Sequence, residues 1–179
     1  MDGLSIKQAI LKPQDVCVVV RLALDRDRTF TYADFGARLF LSASQVHASL
    51  KRAQLARLVS PSQDHKFSAS VPALREFFIH GLRYVYPPML GPVTRGMATA
   101  HSADPIKQEI AASQESALVW PTPQGDSRGV ALHPIHPLIP LASNLDSRFY
   151  EVFALADSLR AGAAREREMA AELLNNRLV

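Results

Sequence analysis

The chain predicts a mainly α fold with a small β element, an α+β class protein, and three observations carry that prediction. Two helix-start signatures lie close together, at Thr31–Asp34 and Ser42–Gln45. A turn-rich stretch, Pro61–Asp64, separates two short runs suited to paired strands. Two long runs near the C-terminus carry apolar residues at helical spacing, with Gly162 between them. The middle of the chain is different, because nine of the 12 prolines lie between residues 87 and 146.

Residues 4–11 form a short lead-in. Lys12-Pro13 is a helix start, since a proline in the first turn gives up no hydrogen bond. Gln14 to Leu24 then reads as a helix with Val16, Val19, Val20, Ala23 and Leu24 on one side. The β-branched run Val16–Val20 suits a buried strand as well; the proline start and the Arg21–Leu24 ending favour the helix. Asp25-Arg26-Asp27-Arg28, with alternating signs, reads as a solvated connector.

Next comes a helix-turn-helix pattern. Thr31 caps a short helix whose apolar face is Tyr32, Phe35 and Leu39, with Phe40-Leu41-Ser42 as the turn and Leu41 as its buried residue. Ser42 and Gln45 form a capping box, in which the hydroxyl accepts from the third helical N–H and the Gln side chain reaches back. In this second helix Val46, Leu50 and Ala53 make the core stripe. Ser44, His47, Ala48 and Lys51 point away from it, with Gln45 and Arg52 on its flank. Small polar side chains followed by basic ones suit a helix entering a DNA major groove. Leu58-Val59 and Phe67–Val71 then form a hairpin, a wing, with His65 and Lys66 near its tip.

The run from LKPQDV through TFTYADFGARLFLSASQVHASLKRAQLARLV resembles the winged helix-turn-helix domains of bacterial transcription regulators, broadly in the style of the MarR family, over residues ~10–72. That resemblance implies a three-helix core with a β-wing and a recognition helix over Ser42–Arg57. It implies DNA contacts from Ser44, Gln45, His47, Ala48, Lys51 and Arg52, and from Lys66 on the wing. Thr31, Tyr32, Ser42 and His65 complete the candidate set. The long flanking dimerisation helices of that family are not legible after Pro72.

Charge agrees with this division. Residues 1–83 hold 12 Lys/Arg against 7 Asp/Glu, a net of +5; residues 84–179 hold 8 against 10, a net of −2. A basic half beside a mildly acidic one is the footprint of a nucleic-acid-binding part joined to a partner or effector part. The expected organisation is a DNA-binding domain over 1–72 and a second part over 73–179, made of a helix, a proline-rich wrapping region and a C-terminal helical pair.

In that second part, Pro72 opens an apolar helix ending near Gly81, and Leu82–Tyr86 reads as an extended exit. Residues 87–146 are apolar enough to be ordered. Leu118–Pro121 and Gly129–Leu132 are candidate paired strands around the turn-rich Thr122–Arg128, and Pro105–Ala112, capped by Asp104, is the one helix the prolines allow. Ser147–Ala161, capped by Ser143 or Asp146, and Ala163–Leu178 are amphipathic helices, with Arg165–Glu168 and Glu172 as a charged outer face. This pair is the candidate surface for a homodimer or for another protein.

Several chemistries find no footing. His133 and His136 are flanked by prolines and have no acidic or thiol companions at metal-site spacing, so no metal or cofactor is expected. Arg75/His80 and Arg95/His101 match the loose spacing of an RNase motif, but twice in one chain and outside any helical-bundle context. No phosphate-binding loop and no nucleophile elbow is present, so an enzyme is not expected. The lone Cys17 lies in an apolar run, which suits a core residue of a cytoplasmic protein. No run of about 18 apolar residues suggests a membrane span. The expectation is a sequence-specific regulator that binds double-stranded DNA as a homodimer. The alternative is a winged-helix adaptor, or an antitoxin-like partner, that binds another protein.

Overall fold

A computed structural model describes residues 10–26, 31–61, 67–109 and 116–178. Helix α1 spans Pro13–Leu24, so the valine run is helical. Its start is fixed by Pro13 and by the Asp15 carboxylate, which accepts from the Lys12 N–H at 2.8 Å. Residues Asp15 through Ala23 are all buried, which explains the β-branched content: α1 is enclosed on every side, and packing outweighs propensity.

Helices α2 (Tyr32–Ala37) and α3 (Ala43–Leu55) follow, each opened by the expected reciprocal cap. Asp34 N–H donates to Thr31 Oγ1 at 3.1 Å, and Gln45 N–H to Ser42 Oγ at 3.3 Å. The turn between them departs from expectation. Leu39, not Leu41, is its fully buried residue; Phe40 sits at φ 55° with its ring turned outward. The turn is tight because Gly36 lies against the backbone of Leu41. A β-carbon on Gly36 would stand 2.3 Å from the Leu41 carbonyl oxygen.

Strands β1 (Val59–Pro61) and β2 (Phe67–Ala69) pair antiparallel as the expected hairpin, with Ser60 opposite Ser68. Helix α4 (Val71–Glu76) then runs through a π-helical turn at Phe77–Gly81 into α5 (Leu82–Val85). The expected extended exit is therefore helical. The wide turn absorbs Gly81 without ending the helix, and Leu74, Phe78 and Leu82 remain buried on its inner side.

The proline-rich region holds a strand that the sequence concealed. Strand β3 (Leu90–Thr99) runs antiparallel to β5 (Ser127–Leu132) along its first part and to β4 (Leu118–Pro121) along its last. The expected β4–β5 pairing exists but is parallel, with Leu118 opposite Val130, and it closes a three-stranded barrel. Pro92 is accommodated by a register shift between Leu90 and Val93. Gly96 permits the crossing, since a β-carbon there would lie 2.1 Å from Trp120 O. Helix α6 (Ile106–Glu109) lies within the expected Pro105–Ala112 helix, whose last part, with residues 110–115, lies outside the described residues. Helix α7 (Leu138–Ser143) precedes the C-terminal pair.

Helices α8 (Ser147–Ala161) and α9 (Ala164–Arg177) match the expected pair, with Asp146 as the N-cap of α8: its Oδ1 accepts from the N–H groups of Arg148 at 2.8 Å and Phe149 at 3.3 Å. Their role differs from expectation. Every residue of α8 from Val152 to Arg160 is buried, so α8 is the central post of the fold and not an amphipathic partner face. It packs on α1, α5, α7, α9 and β3. Phe149, Phe153 and Phe78 form an aromatic ladder, with ring centroids 4.7 and 6.4 Å apart. Glu166, expected on the outer charged face, is buried; it accepts from the Ala163 N–H and faces His101 at 3.8 Å. Arg75 closes α9 by donating to the carbonyls of Asn175 and Leu178.

One continuous core unites the two expected parts: Val16–Val20 and Leu50 belong to the same cluster as Phe149, Leu155 and Leu174. Buried ion pairs cross the same seam. Asp25 is not solvated; it accepts from Arg21 Nη2 at 3.0 Å and from Arg38 Nη1 at 3.2 Å, and Arg148 stands 3.6 Å away. Arg21 also binds Asp146 at 2.7 Å. A second buried node ties α8 to the barrel. There Asp157 accepts from Thr99, from the Trp120 indole and from Arg160, which in turn donates to the carbonyls of Tyr86 and Pro87. Burial pushes the Asp157 carboxyl up, opposed by Arg160 and the two neutral donors.

Candidate nucleic-acid interface

Helix α3 is seated by one stripe. Val46, Ser49, Leu50 and Ala53 are buried against α1 and α2. Ser44, Gln45, His47 and Lys51 are exposed, and Ala48 is half-buried between them. The outer face is therefore small and polar toward its N-terminus and basic further along, as the periodicity required. Most of its first-turn polar capacity is already engaged. The Ser42 hydroxyl accepts from Gln45 and lies 3.0 Å from the Ser44 hydroxyl. Gln45 Oε1 accepts from the Ser42 N–H at 2.8 Å.

Tyr32, at the start of α2, lays its ring against His47 with centroids 5.5 Å apart, so the two helices present a joint aromatic edge. Thr31 is committed to its cap: its hydroxyl donates to Asp34 Oδ2 at 2.7 Å. Those bonds, led by the Thr31 hydroxyl, hold the Asp34 carboxyl below its usual value, so an exposed negative charge sits at the N-terminus of α2. Lys51 reaches over the Phe67 ring of β2, 5.5 Å from its centroid, which couples the outer face of α3 to the hairpin. His65 and Lys66 lie outside the described residues.

Arg52 departs from the expected set. Its guanidinium points inward and grips Asp15 with two bonds, Nε to Oδ2 at 2.8 Å and Nη2 to Oδ1 at 2.6 Å, and Nη2 also reaches Ser49 Oγ at 3.2 Å. The Asp15 side chain has no exposed surface. That bidentate bond raises the Arg52 pKa. Arg52 is thus a strut between α1 and α3. The signal was present in the sequence: Asp15 lies on the inward stripe with Val19 and Leu22, and a carboxylate there needs a cation.

Two exposed features went unread. Arg38 lies at the end of α2, and Arg57 follows α3 at φ 61°. Phe40, in the turn between α2 and α3, and Leu55, at the end of α3, are large apolar residues left exposed. Among the described residues no group of acidic, histidine and cysteine side chains could hold a metal ion, and no helix is long and apolar enough to cross a membrane. His136 is held locally: its Nδ1 accepts from the Leu138 N–H at 3.2 Å, and burial pulls its pKa down. No family model, curated protein or solved structure matches the chain.

Proposed function

We propose that α1, α2, α3 and the β1–β2 hairpin form a winged helix-turn-helix that binds double-stranded DNA, with α3 in the major groove and the hairpin on the flanking backbone. The observation that carries this reading is the outer face of α3. It is seated by a single buried stripe, and it presents Ser44, Gln45, His47 and Lys51 with no covering element among the described residues. The close approach of Gly36 to Leu41 and the left-handed Phe40 make the tight turn that such a unit needs. On this reading Gln45 and His47 read base edges, Lys51 meets a phosphate, and Arg52 holds the helix in place. The protein works in the cytoplasm as a transcription regulator. The test is retention of a mixed pool of duplex DNA, with sequencing of the retained fraction. An enriched motif whose binding weakens in Lys51→Ala supports it, and motif-free retention counts against it.

A second reading, a protein-interaction adaptor, draws on a different surface. Tyr84, Val85, Met89, Leu90 and Val93 are all more than half exposed along one short stretch. Since α8 is enclosed in its own chain, this stretch is a better partner surface, for a second copy or another protein, than the C-terminal pair. Pull-down with a Tyr84→Ala/Met89→Ser variant as the control separates the two readings.

A further inference from the structure

A groove of about 360 Å³ lies between the π-helical turn with α5 on one side and α9 on the other. The π-helical turn builds one wall. It keeps Leu74, Phe78 and Leu82 buried at four-residue spacing, so Ile79 and Arg83, each one position further on, stand together toward α9. A widened turn of this kind is rare and recurs at functional sites. The floor is apolar, made by Ile79, Leu159 and Ala171. The rim is basic: Arg83, Arg167 and His80 stand against one carboxylate, Glu168.

The two guanidiniums are held in place yet left without a counter-charge. Arg83 lies over the Tyr84 ring, 5.4 Å from its centroid, and Arg167 Nη1 donates to the Gly162 carbonyl at 2.7 Å. Both residues are half-buried, and among the described residues neither has a carboxylate within ion-pair distance, Glu168 included. The arginines drawn into the core are neutralised: Arg21 by Asp25 and Asp146, Arg52 by Asp15, Arg160 by Asp157. A half-buried guanidinium has given up part of its hydration and still has donors to fill. Two of them over one apolar floor call for an anion brought from outside. A carboxylate fits the guanidinium fork with two parallel bonds. The apolar floor favours a ligand with a hydrocarbon body over a bare ion.

We propose that this groove binds a short aliphatic carboxylate, its charged end held between Arg83 and Arg167 and its hydrocarbon tail over Ile79, Leu159 and Ala171. The site shares no residue with the outer face of α3 and does not depend on the DNA-binding reading.

The full-length chain is titrated by calorimetry with hexanoate, with hexanol as the tail without the charge and inorganic phosphate as the charge without the tail. Saturable binding of hexanoate is expected, tighter than that of either control. Affinity falls about tenfold in Arg83→Gln, as for loss of one charge-assisted contact. The Arg83 guanidinium meets only the exposed Tyr84 ring, so this variant should melt close to wild type and its loss of affinity is not a loss of fold. Glu168→Gln removes the opposing charge from the rim and tightens binding, an outcome that damage to the fold would not produce. The proposal is overturned by absence of saturable hexanoate binding in the millimolar range, by equal affinity in Arg83→Gln, by weaker binding in Glu168→Gln, or by hexanol or phosphate binding as tightly as hexanoate.

Discussion

Replacing Arg52 by Ala separates a strut from a reader. In the folded chain Asp15 is enclosed and accepts three bonds, two of them from Arg52. Deleting the guanidinium leaves a buried carboxylate with the Lys12 N–H as its remaining partner. Breaking a buried ion pair on one side costs about 3–5 kcal/mol. The Arg52 side chain keeps 21% of its surface in water, which points to the lower end, about 3 kcal/mol. Domains of this size lose about 2–4 °C of melting temperature per kcal/mol, so a drop of about 6–12 °C is expected. The assay is thermal and urea unfolding of wild type, Arg52→Ala, Asp15→Leu/Arg52→Leu and Lys51→Ala. The double apolar replacement should recover most of the loss, because it removes the stranded charge along with its partner. Lys51→Ala should stay within about 0.5 kcal/mol of wild type. If Arg52→Ala melts with wild type while losing affinity for DNA, Arg52 contacts the ligand and the strut assignment is wrong.

Three further outcomes follow from the same structure. Gly36→Ala should destabilise by about 2 kcal/mol despite the better helix propensity of Ala, because the new β-carbon meets a backbone carbonyl; equal stability in urea unfolding would refute the close turn. Burial raises the Asp146 pKa, but the stronger pull of Arg21 and two backbone N–H groups leaves it below its usual value. Its stabilisation is therefore complete above about pH 4 and is lost as pH falls through the lowered folded value. Asp146→Asn should flatten melting temperature against pH in that acid window, and an unchanged slope would show that Asp146 carries no linkage. Cys17 is fully enclosed, and its thiol is pushed well up by burial, so it should resist thiol reagents until the protein unfolds; rapid labelling at neutral pH would contradict the enclosed α1.

The parts of this fold that were legible in the sequence are those specified by neighbours in the chain. The Thr31 and Ser42 caps are local devices with local partners, and α2, α3 and α8 start where those residues or Asp146 place them. Gly162 ends α8 at the expected position for the same reason. What escaped depends on distant partners. Strand β3 contains Gly91, Pro92 and Gly96 and reads as a breaker-rich loop; it exists because β4 and β5 satisfy its backbone from residues far along the chain. Leu82–Val85 looked extended because Gly81 reads as a stop, and the π-helical turn that carries the helix past it has no composition of its own. Enclosure of α8 is invisible to periodicity, since Asp157 and Arg160 look like a solvent face until Trp120, Thr99 and two carbonyls take them up. In the candidate interface, the outer face of α3 follows from 3.6-residue spacing, whereas the loss of Arg52 to Asp15 spans 37 positions.

The most direct test of the DNA-binding account is selection of duplex fragments from a random pool by the purified full-length chain at low and moderate salt. The account predicts an enriched motif, a salt slope that shrinks by about one unit in Lys51→Ala, and a change of preferred bases in His47→Ala or Gln45→Ala. Retention without any enriched motif, or with a salt slope unmoved by Lys51→Ala, would contradict α3 as the reading helix.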